Sequence, residues 1–154
     1  MPAPSPSAPD PDHRDLRWLK ADHPDEVLSG IDPAPAPYVA LLIWHAASAD
    51  ASLIRQVVEA LLASGCTYLC AWGDDCERVH DIADEVLVDH QGASGEAPEV
   101  MTTWHAAESI EEALGFFLTC TAPMDDGEGP YRLGVVVSIG ASPEVCGAIG
   151  RVSG

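Results

Sequence analysis

Two histidines in this chain directly follow a tryptophan that ends an apolar run, and a third such run ends in tryptophan two residues before an aspartate. The segments are Tyr38 to His45 (YVALLIWH), Thr67 to Asp74 (TYLCAWGD) and Val100 to His105 (VMTTWH). An imidazole can act near neutral pH as a general base, a proton donor or a metal ligand, and a carboxylate can orient it. His45, His105 and Asp74 are therefore candidates for hydrolytic or group-transfer chemistry. Trp44, Trp72 and Trp104 could stack on a planar ligand or on a partner's side chain. The bland alternatives stay open: a histidine caps the end of a strand, and an indole closes the end of a sheet.

Metal chemistry has one further foothold. Cys76 and His80 are four apart in a segment of helical pattern, which puts their side chains on neighbouring turns and could chelate zinc, with Cys70, Asp74 and His105 as conceivable further ligands. No CxxC or HExxH accompanies them, and Cys76 falls at the margin of an apolar face where a thiol packs well. No cofactor is expected, and zinc is the one metal left open. Phosphate binding after the first strand needs a glycine-rich turn, but His45-Ala46-Ala47-Ser48 follows it, and neither GxGxxG nor GxxxxGK[ST] occurs. The run Ser138 to Ser142 (SIGAS) could form a small anion-binding turn or a purely structural one. A serine-hydrolase elbow, GxSxG, is absent.

These residues need a scaffold that brings them together. Continuous apolar runs read as strands of a parallel sheet buried on both faces, and in open α/β sheets ligands gather beyond the carboxyl ends of the strands. Tyr38 to Trp44 is the first such strand. A helical stripe of Leu53, Ile54, Val57, Val58, Leu61 and Leu62 follows, with Ser48 or Asp50 as cap and Gly65 at its end. After a strand at Thr67 to Trp72, a helix begins near Asp74 or Asp75. It buries Val79, Ala83 and Val86 and turns Glu77, Asp81, Asp84 and Glu85 outward. Glu85 to Val88 then reads as a short strand, Gln91 to Pro98 as a loop and Val100 to Trp104 as another strand. Ser109 and Glu112 have capping-box spacing for a helix to about Leu118. An acidic loop, Ala122 to Pro130, precedes Leu133 to Ile139, the expected central strand.

The domain layout follows. Residues 1–12 read as a disordered tail, 13–37 as an N-terminal arm with a proline-rich connector (Pro33 to Pro37), 38–142 as the α/β domain and 143–154 as a short helix or tail. The expected fold is a three-layer Rossmann-like domain with a mostly parallel sheet of four or five strands.

Charge narrows the partners. Seven basic residues against 25 acidic ones give a formal charge of −18, which repels nucleic acid and anionic membranes and favours solubility and basic partners. The expected partner is a protein or small molecule. The opening residues MPAPSPSAPDPD lack the pattern of a secretory signal and no apolar run reaches membrane-span length, so the expected location is cytoplasmic. Cys66, Cys70, Cys76, Cys120 and Cys146 should then be thiols.

The blocks Cys70 to Val88 and Val100 to Leu118 resemble a family of small bacterial α/β proteins catalogued as a domain of unknown function. The resemblance spans Tyr38 to Gly140 and implies a bacterial, cytoplasmic origin without implying an activity. The leading reading is a non-catalytic binding or interaction module using the carboxyl edge of its sheet. One alternative is a small hydrolase or transferase, with or without metal, using His45, His105 and Asp74. Another is an acidic inhibitor or immunity-like protein for a basic partner.

Overall fold

Tyr38–Trp44 is a strand of seven consecutively buried residues, and a run with no polar face demands paired neighbours at both edges and helices over both faces. The computed structural model, which describes residues 15–30, 38–94, 100–119 and 133–153, provides both. The elements in order are β1 (Asp15–Ala21), α1 (Pro24–Gly30), β2 (Tyr38–Trp44), α2 (Ala51–Ala63), β3 (Cys66–Trp72), α3 (Cys76–Ser94), β4 (Met101–Trp104), α4 (Ile110–Thr119), β5 (Leu133–Ile139) and α5 (Pro143–Ser153). A single 3₁₀ turn, Ala46–Ser48, follows β2. The strands form one all-parallel sheet in the order β1-β5-β2-β3-β4.

Helices cover both faces, giving three layers. On one face, Val27 of α1, Ile54, Val57, Val58 and Leu61 of α2, and Val79, Ile82, Ala83 and Val86 of α3 pack on Ala40, Leu42 and Leu69. On the other, Ile110, Leu114 and Phe117 of α4 with Val145, Ala148 and Ile149 of α5 pack on Val39, Leu41, Ile43 and Cys70. Asp50 caps α2 by accepting the Leu53 amide at 2.8 Å, and the Ser109 hydroxyl accepts the Glu112 amide at 3.1 Å at the start of α4. Gly65, with φ 115°, turns the chain from α2 into β3.

Three local expectations are corrected. First, the arm at His13 to Asp32 contains a strand of the sheet. Leu16 and Trp18 of β1 pack toward α4 and α5 while Leu19 and Ala21 pack toward α1, so this edge strand is apolar on alternate residues facing both layers. With β1 outside it, β5 is interior but β2 holds the middle position. Second, Glu85 to Val88 is not a strand. Val79, Ile82, Ala83 and Val86 keep helical spacing and are buried, whereas Val88 is 65 % exposed, so α3 continues through this run. Third, Gln91 to Ser94 belongs to α3 rather than to a loop. The tail at 1–12, the connector at 33–37, the remainder of the Gln91 to Pro98 loop, the loop at 122–130 and Cys120 lie outside the described residues. Cys66, Cys70, Cys76 and Cys146 are free thiols.

Candidate functional site

The strands that end in tryptophan, β2, β3 and β4, lie side by side and point the same way, so their carboxyl ends share one edge. Register then decides which side chains meet. Ile43 pairs with Trp72 and Ala71 with Trp104, so the indoles are staggered by one residue from strand to strand. Because alternate residues face opposite layers, Trp72 and His105 fall on the α4 and α5 face. Trp44 and Trp104 fall on the other. Five of the six candidates therefore fall into three groupings, and Trp44 stands apart.

The first joins His45, Trp72 and Asp74. Gly73 has φ 128°, and a Cβ there would lie 2.3 Å from the Trp44 carbonyl oxygen, so only glycine lets the end of β3 approach the end of β2 this closely. The close approach is cross-braced. The Asp74 amide donates to His45 Nδ1 at 2.9 Å, and the Ala46 amide donates to the Asp74 carbonyl at 3.0 Å. Arg78 Nη1 ties the turn after β2 to α3 by donating to the carbonyls of Ala46 and Ala49, at 3.3 and 2.8 Å. An Nδ1 that accepts an amide hydrogen carries no proton, which places the proton of the neutral ring on Nε2. The Asp74 carboxylate lies 3.6 Å from the same nitrogen, but the lone pair is already used, so the amide holds the ring. The His45 side chain is 47 % exposed and that of Asp74 78 %. The Trp72 ring approaches His45 edge-on at 5.6 Å.

The second grouping surrounds His105, which is 5 % exposed. Its amide donates to the Ala71 carbonyl at 2.9 Å, extending the β3–β4 pairing. Nδ1 lies 2.8 Å from Glu108 Oε2, and Nε2 lies 3.0 Å from Thr103 Oγ1. A carboxylate only accepts, so Nδ1 carries the proton and the threonine hydroxyl donates to Nε2 in the neutral ring. Phe116 packs on the imidazole at 4.7 Å, and Trp72 Nε1 donates to the Glu108 carbonyl at 2.9 Å. Trp72 thus bridges the first two groupings. Hydroxyl, imidazole and carboxylate stand here in the order of a nucleophile, its base and the base's orienter. Reading single segments missed Thr103 and Glu108. The available signal was the T-x-H spacing on a strand, which puts both side chains on one face.

The third grouping is on the α3 side. Trp104 is 44 % exposed, and its ring packs against His80 at 4.4 Å between centroids, tilted by 51°. His80 Nδ1 lies 3.2 Å from Asp81 Oδ1 and Nε2 lies 3.5 Å from Asp84 Oδ2. The Thr102 hydroxyl donates to Asp84 at 2.7 Å.

Trp44 joins none of these. It is buried among α1, α2 and α3 side chains and closes the core. Cys76 also turns inward, where burial pushes its thiol above the ordinary range against the pull of backbone hydrogen bonds from His105 and the start of α3. His80 faces Trp104 instead. Among the described residues no group of three or more histidine, cysteine or acidic side chains is placed to hold a metal ion. In the SIGAS run, the Ser138 hydroxyl accepts from Trp18 Nε1 at 2.9 Å and the Ser142 hydroxyl accepts from the Val145 amide at 3.3 Å. Both hydroxyls serve the fold. Among the described residues no helix is long and apolar enough to cross a membrane.

No curated protein matches the chain. A family described as a domain of unknown function, DUF7684, matches residues 19–150; that span runs from inside β1 into α5, and the chain belongs to this family.

Proposed function

We propose that the protein is a non-catalytic interaction module whose recognition surface lies at the carboxyl edge of its sheet. The observation that carries the reading is the fixed His45 and Asp74 pair. The imidazole is anchored through Nδ1 by a backbone amide at 2.9 Å, with the largely exposed Asp74 carboxylate 3.6 Å from that nitrogen, and its other nitrogen is turned away from the anchor. A ring donor held in place before binding loses little entropy on contact, and the exposed Asp74 carboxylate adds an acceptor beside it. The pair sits between β2 and β3, on a frame that Gly73 and Arg78 lock.

Site-specific photocrosslinking in cells that express the protein tests this. A benzophenone amino acid at Ala47, exposed in the turn beyond β2, should trap a discrete partner, and His45→Ala should weaken the adduct. The same group at Ala63, exposed at the end of α2 and therefore at the opposite edge of the sheet, should not trap it. Equal adducts from both positions, or none from Ala47, would overturn the reading.

The row Thr103, His105 and Glu108 favours a second reading, a hydrolase with Thr103 as nucleophile. Covalent labelling of Thr103 by a fluorophosphonate, abolished in His105→Ala, would support it. An unlabelled Thr103 in the folded protein would leave the row as a structural brace.

A further inference from the structure

We propose that the flank made by α3 and the edge strand β4 docks a cationic, partly apolar segment of a partner protein, a lysine or arginine side chain lying on Trp104 among the carboxylates of Asp81, Asp84 and Glu85. This rests on the interaction reading above and adds the partner's chemistry and its place of contact.

Of the four large apolar side chains exposed among the described residues, Val88 of α3 and Trp104 of β4 lie on this flank, while Met101 of β4 pairs with Tyr68 and faces the other layer. Register organises the strip on the α3 side. Helix and strand run in opposite directions, so His80 lies against Trp104 and Asp84 against Thr102, with Val88 one turn further on. His80 packs against the indole at a tilt of 51°, and 44 % of the residue stays exposed. An open aromatic surface beside carboxylates is the chemistry that holds an organic cation, since the ring face and the acids both attract positive charge.

Charge on the rest of the sheet points the same way. Arg78, on α3 itself, donates to the carbonyls of Ala46 and Ala49 and lies 3.6 Å from the Asp75 carboxylate, and the Arg55 guanidinium is held by Glu59 at 2.9 Å and Asp89 at 2.6 Å, so both cations are already engaged. Arg17 and Lys20 lie on β1, at the far edge of the sheet. Asp81, Asp84 and Glu85 are all exposed, and the chain's formal charge of −18 opposes a second copy as the occupant. A shallow groove lined by Asp84, Glu85, Val88 and Asp89 continues the strip along the helix. Together these features fit a positively charged segment with apolar residues between its charges.

The test is a titration of the full chain, labelled with ¹⁵N, with a synthetic peptide that alternates arginine and leucine, followed by NMR. The Trp104 indole N–H and the amides of 80–88 and 101–104 should shift, and a peptide with glutamate in place of arginine should shift nothing. Trp104→Ala should weaken binding about tenfold, and Trp104→Phe should weaken it less. Asp81→Asn with Glu85→Gln should also weaken it about tenfold. Removing charge from the other layer through Glu111→Gln, Glu112→Gln and Glu144→Gln should stay within about twofold. Unchanged affinity in Trp104→Ala, or equal losses in the two charge variants, overturns the proposal. Shifts confined to His45 and Asp74 overturn it while sparing the carboxyl-edge reading. Shifts of the same signals on concentration alone would make a second copy the occupant and overturn it too.

Discussion

Gly73→Ala is the sharpest test of how the β2 and β3 ends are built. The new Cβ would lie 2.3 Å from the Trp44 carbonyl oxygen and 2.7 Å from its carbon. Both are backbone atoms, so no rotamer change relieves the overlap. Reaching even 3.0 Å requires the two backbones to separate by at least 0.7 Å. The bonds from the Ala46 amide to the Asp74 carbonyl, at 3.0 Å, and from the Asp74 amide to His45, at 2.9 Å, would stretch beyond useful range. Losing them costs about 1 kcal/mol each. An L-residue forced to φ 128° adds roughly 1–3 kcal/mol, for a total of about 3–5 kcal/mol. Gly115→Ala on α4 is the control. A Cβ added at Gly115 would meet nothing within 4 Å, so alanine there should stabilise by about 0.5–1 kcal/mol through helix propensity. Urea unfolding at constant m-value measures both. A Gly73→Ala protein within about 1 kcal/mol of the parent would refute the close-approach argument.

His105→Ala should cost about 2–4 kcal/mol, because it strands Glu108 and Thr103 beside a cavity; His45→Ala should cost no more than about 1 kcal/mol, since that ring is half exposed. Chemical denaturation of the pair checks the contrast, and equal losses would contradict the greater structural weight that burial and two side-chain partners give His105. Stability should also fall at alkaline pH. Burial, with a smaller contribution from nearby Cys70, raises the Cys66 thiol from 9.0 to about 12. A folded pKa above the unfolded one gives stability that is complete below pH 9.0 and is lost as pH rises toward about 12. The slope from this group is about 1.4 kcal/mol per pH unit between those limits. Burial also holds the Tyr38 hydroxyl well above its usual range, adding a second loss above pH 10.0. Cys66→Ala should reduce the slope just above pH 9.0 by the stated amount. An unaltered slope in denaturation curves across that window would contradict the assignment.

The readable parts of the fold were those fixed by one segment alone. YVALLIW, TYLCAW and LGVVVSI are unbroken apolar runs because parallel strands inside the sheet are covered on both faces, and Asp50 and Ser109 announce their helices through local capping chemistry. Asp15–Ala21 (DLRWLKA) was harder, since Arg17 and Lys20 interrupt an edge strand that needs only a partial apolar pattern. Glu85 to Val88 was ambiguous because Val86 and Val88 alternate like a strand, and only the series from Val79 reveals the helix. Strand neighbours and register belong to pairs of segments, so the facing of each indole was not readable from any one of them. The meeting of Trp72, Glu108 and His105 was hidden for the same reason.

The buried His105 and the open Trp104 are consequences of one constraint. Adjacent residues of a strand face opposite layers, so enclosing His105 beside Phe116 obliges Trp104 to face α3, where the short edge strand leaves it 44 % exposed. Slipping β4 by one residue would send the imidazole to the α3 side and the indole toward α4. Three contacts resist that slip: the His105 amide on the Ala71 carbonyl, the row from Thr103 through His105 to Glu108, and Thr102 on Asp84. The polar cluster that looks most like catalytic machinery is thus also what fixes the register of the edge strand. Its geometry keeps the indole at the outer flank, partly open to solvent.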